Sequence, residues 1–471
     1  MSDSGAPPLA AVFPAASESD WRKRVDAVLK GADFEQRLFS RTMDGIAIAP
    51  LYTSGEATQV RRPEQTPWTV MQRADHPDAG KANAQALDDL NHGATGLNLV
   101  FADAPGARGF GLATLEPKNI ARLLNGIRID AIDLRVEAGP HGKAAATALA
   151  QWIDTQPVDP ERLRLCFGLD PIGSGAALGR IDPDFANGLR QSVTALREQH
   201  FAGPFAEASG VVWHDAGASG AQELAFMLAS GVAYLRALDT LTDDHLKRAV
   251  ALTLAAGQDM FVTLAKFRAA RLLWTRILAA CGLATDAITV AAETSWRMMA
   301  ARDPHTNILR TTAAVFAAAL GGADRITVLP FSLAQGFPDA FARRIARNTQ
   351  TILQEESQLW RVSDPASGGY VEHLTATLCD KAWTLFKEIE RQGGIVAAIE
   401  SGHIASLIAE KRIERLAGIE NKAETIIGVT AYRPATEMTP AIEDVPRRAV
   451  AQGPLAAMRF VERFESTGAA A

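Results

Sequence analysis

Apolar residues fall along this chain in two alternating patterns. From about residue 93, short apolar runs are separated by long stretches in which apolar positions recur every three or four residues. The short runs predict strands: GLNLVFA (96–102), IDAIDLRVE (129–137), RLRLCFGL (162–169), GVVWH (210–214), VALTLAA (250–256), AITVAAE (287–293), RITVLP (325–330) and LWRVSD (359–364). Several lack strict apolar–polar alternation, as expected of parallel strands covered on both faces. The long stretches predict helices over 183–200, 220–239, 259–282, 307–322 and 338–357. Eight strands interleaved with helices predict an α/β fold, a (β/α)8 TIM barrel. A doubly wound open sheet is the rival, because a strand count does not establish closure.

The flanks read differently. Residues 1–20 are rich in Ala, Pro and Ser and predict a flexible lead. Residues 21–39 predict an amphipathic helix with Trp21, Val25, Val28, Leu29 and Ala32 on one face, and TMDGIAIAPLYT (42–53) a turn with a short extended stretch. After residue 365 the pattern becomes helical, over 375–394 and 401–420. ETIIGVTAYRP (424–434) predicts a strand-like exit, ATEMTPAIEDVPRR a linker, and 454–465 a last helix.

Composition narrows the function classes. Hydrophobic residues make up 47% and charged residues 22%, a globular balance. Lys plus Arg number 48 against 54 Asp plus Glu, a formal net charge of −6, which argues against general nucleic-acid binding. Cys166, Cys281 and Cys379 are too far apart for a CxxC metal site, and an odd, low count argues against a disulfide framework. The N-terminus lacks the basic-then-apolar pattern of a signal peptide, and there is no apolar run of about 18 residues. The expectation is a cytoplasmic protein with no membrane span.

Five stretches are candidates for chemistry. In SGVVWHDAGASGAQELAF (209–226), a strand, a polar tip and a helix would present His214 and Asp215 where α/β enzymes keep their catalytic groups. DPIGSGAALG (170–179) reads as a small-residue barrel loop, with phosphate contact open because its spacing departs from the dinucleotide fingerprint. In DPHTN, Asp303 or Thr306 as a helix cap explains the residues more simply than Asp303 and His305 as metal ligands. Arg343, Arg344, Arg347, Glu355 and Glu356 read as solvated faces with internal ion pairs, and SDPASGGY (363–370) as a turn at the barrel rim.

Several stretches together resemble the adenosylcobalamin-dependent acyl-CoA mutases, most closely the methylmalonyl-CoA mutase family. They are RTMDGIAIAPLYT, LAKFRAARLLWTRIL, AETSWRMMAARDPHTNILRTTAAVFAAALGG, ARRIARNTQTILQEES, VSDPASGGYVEHLT and EIERQGG, in the family's order, with the resemblance covering about residues 21–432. The resemblance implies a barrel that threads acyl-CoA along its axis and a flavodoxin-like cobalamin domain that caps it. It also implies radical 1,2-migration of the thioester carbon after cobalt–carbon homolysis, with the cofactor supplying the difficult chemistry. Within 1–471 it implies a helix and subunit-contact arm (1–60), the barrel (61–365), a helical extension (366–432) and a truncated linker tail (433–471).

The departures from the family fall on its working residues. Arg73 stands where the family places a tyrosine against substrate, Val212 where it has the catalytic histidine, and Glu293 where it has a glutamine. His214 and Asp215 fall on a glutamine and a glutamate. Gly168, Leu169 and Asp170 replace Gln-Asn-Asp, and Ala249 and Ala251 replace an arginine and a serine. The arginine that grips the substrate carboxylate falls near Leu178, and Arg180 serves only if the alignment slips by two. No Asp-x-His-x-x-Gly cobalt-ligating motif is present: DDHLKR and DPHTNI lack the glycine. The resemblance is therefore closest to the small (beta) subunit, inactive itself and paired with a catalytic large subunit, with adenosylcobalamin belonging to the complex and no metal or cofactor held by this chain. The alternative is the acyl-CoA-binding catalytic subunit of a split mutase served by a separate cobalamin protein. A third reading is a stand-alone CoA-binding or scaffold barrel.

Overall fold

Eight parallel strands close on themselves in a computed structural model that describes residues 16–53, 58–60, 62, 66–286, 288–362, 364, 368–436, 438–450 and 452–466. They are β1 (Thr69–Ala74), β2 (Gly96–Val100), β3 (Asp133–Glu137), β4 (Arg164–Cys166), β5 (Ala206–Ser209), β6 (Val250–Ala256), β7 (Val290–Thr294) and β8 (Arg325–Thr327). Their order is β4-β3-β2-β1-β8-β7-β6-β5. The two ends meet through a parallel bridge between Leu169 and Ala206. There Leu169 N–H donates to the Phe205 carbonyl and Glu207 N–H to the Leu169 carbonyl, both at 3.1 Å. The barrel expectation holds and the open sheet does not. All seven residues of β6 are buried, which explains why its sequence shows no alternation.

Helices ring the barrel close to their expected places: Phe185–Glu198, Gly220–Ala237, Met260–Ala280, Thr306–Leu320 and Ala340–Glu355. The helix Gly369–Arg391 packs on Gly220–Ala237 and Met260–Ala280, so these two are covered on further sides and are apolar nearly all round. Their few charges are anchors. Arg268 is 1% exposed, and its Nε reaches Asp364 at 3.1 Å and its Nη1 the Thr375 hydroxyl at 2.9 Å. Arg343 and Arg347, expected on a solvated face, are instead buried on Asp89 at 2.5 Å each; of the five charged residues, Arg344, Glu355 and Glu356 are the exposed ones.

Several elements depart from expectation. GVVWH is not a strand: β5 is the preceding AEAS, and Val211–Ala216 is a helical turn with Trp213 buried edge-on to Phe226. A short apolar run without alternation fits a buried helix as well as a strand. LWRVSD is not a strand either; Leu359–Arg361 forms a 3-10 turn, and Ser363 lies outside the described residues. The missing eighth strand is β1, whose apolar run is broken by the buried Gln72 and Arg73. DPIGSGAALG is the helix Pro171–Leu178, not a loop. Asp170 caps it, accepting from Gly173 N–H at 3.0 Å and from the Tyr234 hydroxyl, so its N-terminus is already occupied. Burial pushes the Asp170 carboxyl up to about 7.

The expected N-terminal helix is two, Glu18–Leu29 and Phe34–Leu38, followed by an antiparallel pair of Ser40–Arg41 with Ala47–Ile48. The lead over 1–15 and the SDPASGGY residues other than Asp364 and Gly368–Tyr370 lie outside the described residues. The exit at 424–434 holds a single bridge, Ile427 to Ala431, and the last helix is only Glu462–Ser466.

Gly168 decides the path from β4 into the next helix. Its φ is +59°, and a Cβ there would stand 1.8 Å from the Val136 carbonyl oxygen. Both conformation and space exclude a side chain. Gly168→Ala is expected to lower unfolding free energy by about 2 kcal/mol or more, read as a lower urea midpoint at unchanged m-value.

Candidate functional site

Charge fills the bore at the C-terminal end of the barrel. Parallel register sets Arg73 of β1 beside Asn98 of β2 and Arg135 of β3, and Glu293 of β7 beside Thr327 of β8. Arg135 makes a two-pronged pair with Glu207 across the bore, at 2.7 and 2.6 Å, and reaches Glu137 at 3.0 Å. Arg73 donates to Asp75 and to the Gly106 carbonyl, both at 2.8 Å, and lies 3.6 Å from Glu293. Arg108 pairs with Asp215, approaches Glu293 at 3.3 Å and stacks over Trp296.

Three bore arginines thus meet five carboxylates, Asp75, Glu137, Glu207, Asp215 and Glu293, and Arg343 adds a fourth cation 3.6 Å from Asp75. Burial would raise Glu137, but the cations Arg135, Arg73 and Arg108 hold it below the ordinary range. Burial and the neighbouring Glu137 raise Glu293, and burial raises Asp215 despite Arg108. The balance is acid-rich, so the bore disfavours a further anion. Such charges stay inside only as a paired set, since an unpartnered buried charge costs several kcal/mol.

The chain's own C-terminal stretch crosses this mouth. Met458 N–H donates to the Asp215 carbonyl at 3.0 Å, and Arg459 Nη1 to the Met299 carbonyl at 3.2 Å. Glu465 accepts from Ala301 N–H at 2.6 Å. Leu455 and Ala457 roof a residual cavity of about 20 Å³ over Arg108, Glu137, Asp215 and Glu293. That is room for about one water molecule.

A second cavity, of about 700 Å³, lies on the other side of the helical turn Val211–Ala216. His214, Glu223, Lys266, Ser295 and Arg297 are in its wall, and Arg41 and Asp44 of the N-terminal hairpin region close one side. His214 Nδ1 lies 2.9 Å from Glu223 Oε2 and its Nε2 2.7 Å from Ser295 Oγ. Glu223 also accepts from Lys266 and, at 2.9 Å, from Ala255 N–H. Burial, then the cations Arg297, Lys266, Arg415 and Arg108, hold His214 well below the usual histidine range, so the imidazole is neutral.

With this geometry in view, the relatives are informative. The family model described as methylmalonyl-CoA mutase matches residues 24–467. The chain belongs to the methylmalonyl-CoA mutase family. It is 39% identical to the methylmalonyl-CoA mutase small subunit of Streptomyces virginiae, over 97% of this chain and 76% of that one. It is 33% identical to the small subunit of Propionibacterium freudenreichii subsp. shermanii, over 90% of this chain and 70% of that one. It is 30% identical to the methylmalonyl-CoA mutase of Cereibacter sphaeroides, over 93% of this chain and 67% of that one.

Within this mutase barrel, the structure brings Arg73, Glu293 and Asp215 into one network, with Val212 in the same cavity wall. It separates His214 from them. Residues two apart on a helix point about 200° apart, so Val212 faces the bore cavity and His214 the other. His214 and Asp215 are not an acid–base pair. Arg180 is exposed and lines neither cavity. Asp303 and His305 gather no metal set: no group of three potential ligands occurs among the described residues. Asp303 accepts from the Thr306 hydroxyl, and neither side chain caps the helix.

The residues that the sequence pattern leaves unannounced are Asp75, Arg108, Arg135, Glu137, Glu207 and the Glu223–Lys266–Ser295 group. One signal was available. DLRVE places Asp133, Arg135 and Glu137 at period two on one face of β3, a charged face on a strand with no solvated side.

Two outcomes follow for stability. Arg135→Met strips Glu207 of its two-pronged partner and Glu137 of the nearest of its three cations, and is expected to cost about 3–5 kcal/mol in urea unfolding, while Arg135→Met with Glu207→Met costs less than Arg135→Met alone. For His214, the unfolded chain binds a proton below about pH 6.5 that the folded chain refuses. Stability therefore falls as pH drops through that range, by up to about 1.4 kcal/mol per pH unit. Between pH 7 and 5.5, His214→Gln should lose less unfolding free energy than the parent protein.

Proposed function

We propose that this chain is the small, non-catalytic subunit of an adenosylcobalamin-dependent methylmalonyl-CoA mutase, supporting a large subunit that interconverts methylmalonyl-CoA and succinyl-CoA. One observation carries the reading. The bore, through which an active barrel of this family would thread its acyl-CoA, holds the Arg73–Glu293–Arg108–Asp215 and Arg135–Glu207 pairs and leaves about 20 Å³ beneath the tail. Small-molecule pockets occupy about 300–1,000 Å³. An acyl-CoA brings phosphates and, in methylmalonyl-CoA, a carboxylate, to a wall already rich in acid.

The residues at the mouth do not fit a corrin either. The tail occupies that face, and Arg73 and Val212 hold the positions of the family's tyrosine and histidine. No step of the radical reaction is assigned to this chain; adenosylcobalamin and substrate belong to the partner subunit. Valine offers no hydrogen bond to a thioester carbonyl, and loss of one such donor costs on the order of a hundredfold in rate.

Partner binding is supported by the N-terminal arm. Helix Glu18–Leu29 buries none of its residues, and its apolar face includes Val28 at 78% exposure; Leu51 beyond the hairpin is 43% exposed. No helix among the described residues is long and apolar enough to cross a membrane. The relatives' names add support, since a small subunit implies a larger one.

The test mixes the full chain with a methylmalonyl-CoA mutase large subunit at micromolar concentration and follows sedimentation and turnover. A stable heterodimer is expected, active with adenosylcobalamin, while this chain alone with cofactor and methylmalonyl-CoA stays silent. Failure to associate, or turnover by this chain alone, overturns the reading.

A further inference from the structure

The 700 Å³ cavity beside the bore has no part in the proposed subunit role, yet it contains an ordered set of reactive groups. We infer that Ser295, His214 and Glu223 form a nucleophile–base–carboxylate relay that hydrolyses an anionic acyl ester or thioester bound in this cavity. The inference does not depend on the mutase reading, because the groups lie across the Val211–Ala216 turn from the bore network.

Hydrogen bonding fixes the direction of the relay. Glu223 accepts from Lys266 and Ala255 N–H, so its carboxylate is the acceptor and His214 Nδ1 carries the proton between them. With Nδ1 protonated and the ring neutral, Nε2 is left as an acceptor, 2.7 Å from Ser295 Oγ. That is the hydrogen-bonded chain required for an activated serine: hydroxyl to imidazole, imidazole to a carboxylate that orients it. Ser295 directly follows β7, and His214 and Glu223 follow β5, so all three stand at the barrel end that carries chemistry in this fold.

The cavity also specifies charge. Arg297 lines it without a carboxylate within salt-bridge distance among the described residues, and its Nη1 donates to the carbonyls of His214 and Ala218 at 2.9 and 2.7 Å. Burial lowers its guanidinium to about 9, which still leaves it cationic at neutral pH. Arg310, also in the cavity wall, donates to Asn307 and to the Ile427 carbonyl and likewise has no carboxylate within salt-bridge distance among the described residues. Two cations facing a cavity of ligand size call for an anionic substrate.

The reaction balances with water alone. Ser295 Oγ bonds to the acyl carbon as its proton passes to His214 Nε2. The carbon–oxygen or carbon–sulfur bond of the substrate breaks, and His214 returns that proton to the leaving alcohol or thiol. Water then attacks the acyl-serine, giving its proton to His214. Cleavage of the Ser295 ester restores the hydroxyl with that proton and releases the carboxylic acid. Glu223 is a positioning residue that holds the imidazole's tautomer, and Lys266 in turn holds Glu223.

The full chain is treated with a fluorophosphonate and the adduct located by peptide mass analysis, with hydrolysis of 4-nitrophenyl hemisuccinate and 4-nitrophenyl butyrate followed in parallel. Expected are a covalent adduct on Ser295 and faster turnover of the hemisuccinate. Ser295→Ala and His214→Ala should lose about a hundredfold or more in rate, and Arg297→Met should narrow the preference for the hemisuccinate. Glu223→Gln should lower kcat at unchanged KM. Ser295→Cys, which keeps the side chain's size, should be alkylated by iodoacetamide at this position, guarding against a variant that fails to fold. An unlabelled Ser295 in the native chain at saturating probe, or hydrolysis undiminished in Ser295→Ala, overturns the inference.

Discussion

The pairing of Arg135 with Glu207 across the barrel bore is the constraint around which this molecule is arranged. It ties β3 to β5 past the seam where β4 and β5 meet through the Leu169 bridge and the bond from Phe167 N–H to the Pro204 carbonyl. A barrel closed by so short a contact gains a second tie through its interior. Once these two charges occupy the bore they must remain paired, and neighbouring positions follow suit. Glu137 joins Arg135, and Arg73 and Arg108 share Glu293. The interior becomes a polar lattice that a ligand could enter only by breaking ion pairs in a low-dielectric space.

The C-terminal stretch completes that arrangement from outside. It uses main-chain groups at the mouth, the Asp215 and Met299 carbonyls and Ala301 N–H, that in an open barrel would be available to solvent or ligand. Leu455, Phe460 and Val461 become buried in doing so. The same stretch walls both cavities: Leu455 and Ala457 over the bore, Phe460 and Val461 beside the His214 group. One segment thus shuts one chamber and shapes another.

Much of the fold was legible because its strands and helices obey their periods. Six of the eight expected runs overlap barrel strands, and the five ring helices that apolar spacing predicts are present, but the helices Ala79–Asn91 and Gly142–Asp154 are not among those expected. The departures have two causes: buried polar groups mimic exposure, and short apolar or small-residue runs such as VVWH, LWRVSD and DPIGSGAALG fit turns and helices as well as strands and loops. β1 was hidden by Gln72 and Arg73, the Arg343 and Arg347 pair was read as solvated, and β5 was displaced onto the more apolar VVWH. Arg343 and Arg347 are internal and satisfied by Asp89, far away in sequence, and Arg73 reaches Gly106 and Glu293 as well as the nearby Asp75, contacts that local pattern does not encode. The family resemblance singles out Arg73, Val212 and Glu293, and these three lie about the bore cavity. It gave no hint that these positions are bound together, because Arg108, Arg135 and Glu207 carry no local signal of their destination.

Gly168 ties the polar bore to a single backbone contact. The space that a first side-chain carbon would need there is held by the Val136 carbonyl, and the residue takes a left-handed conformation that only glycine adopts easily. Val136 stands on β3 between Arg135 and Glu137, so a side chain at position 168 would press on the strand that carries both charges. The turn after β4 and the ion pairs of the bore are thus one mechanical unit, and neither can be rebuilt without moving the other.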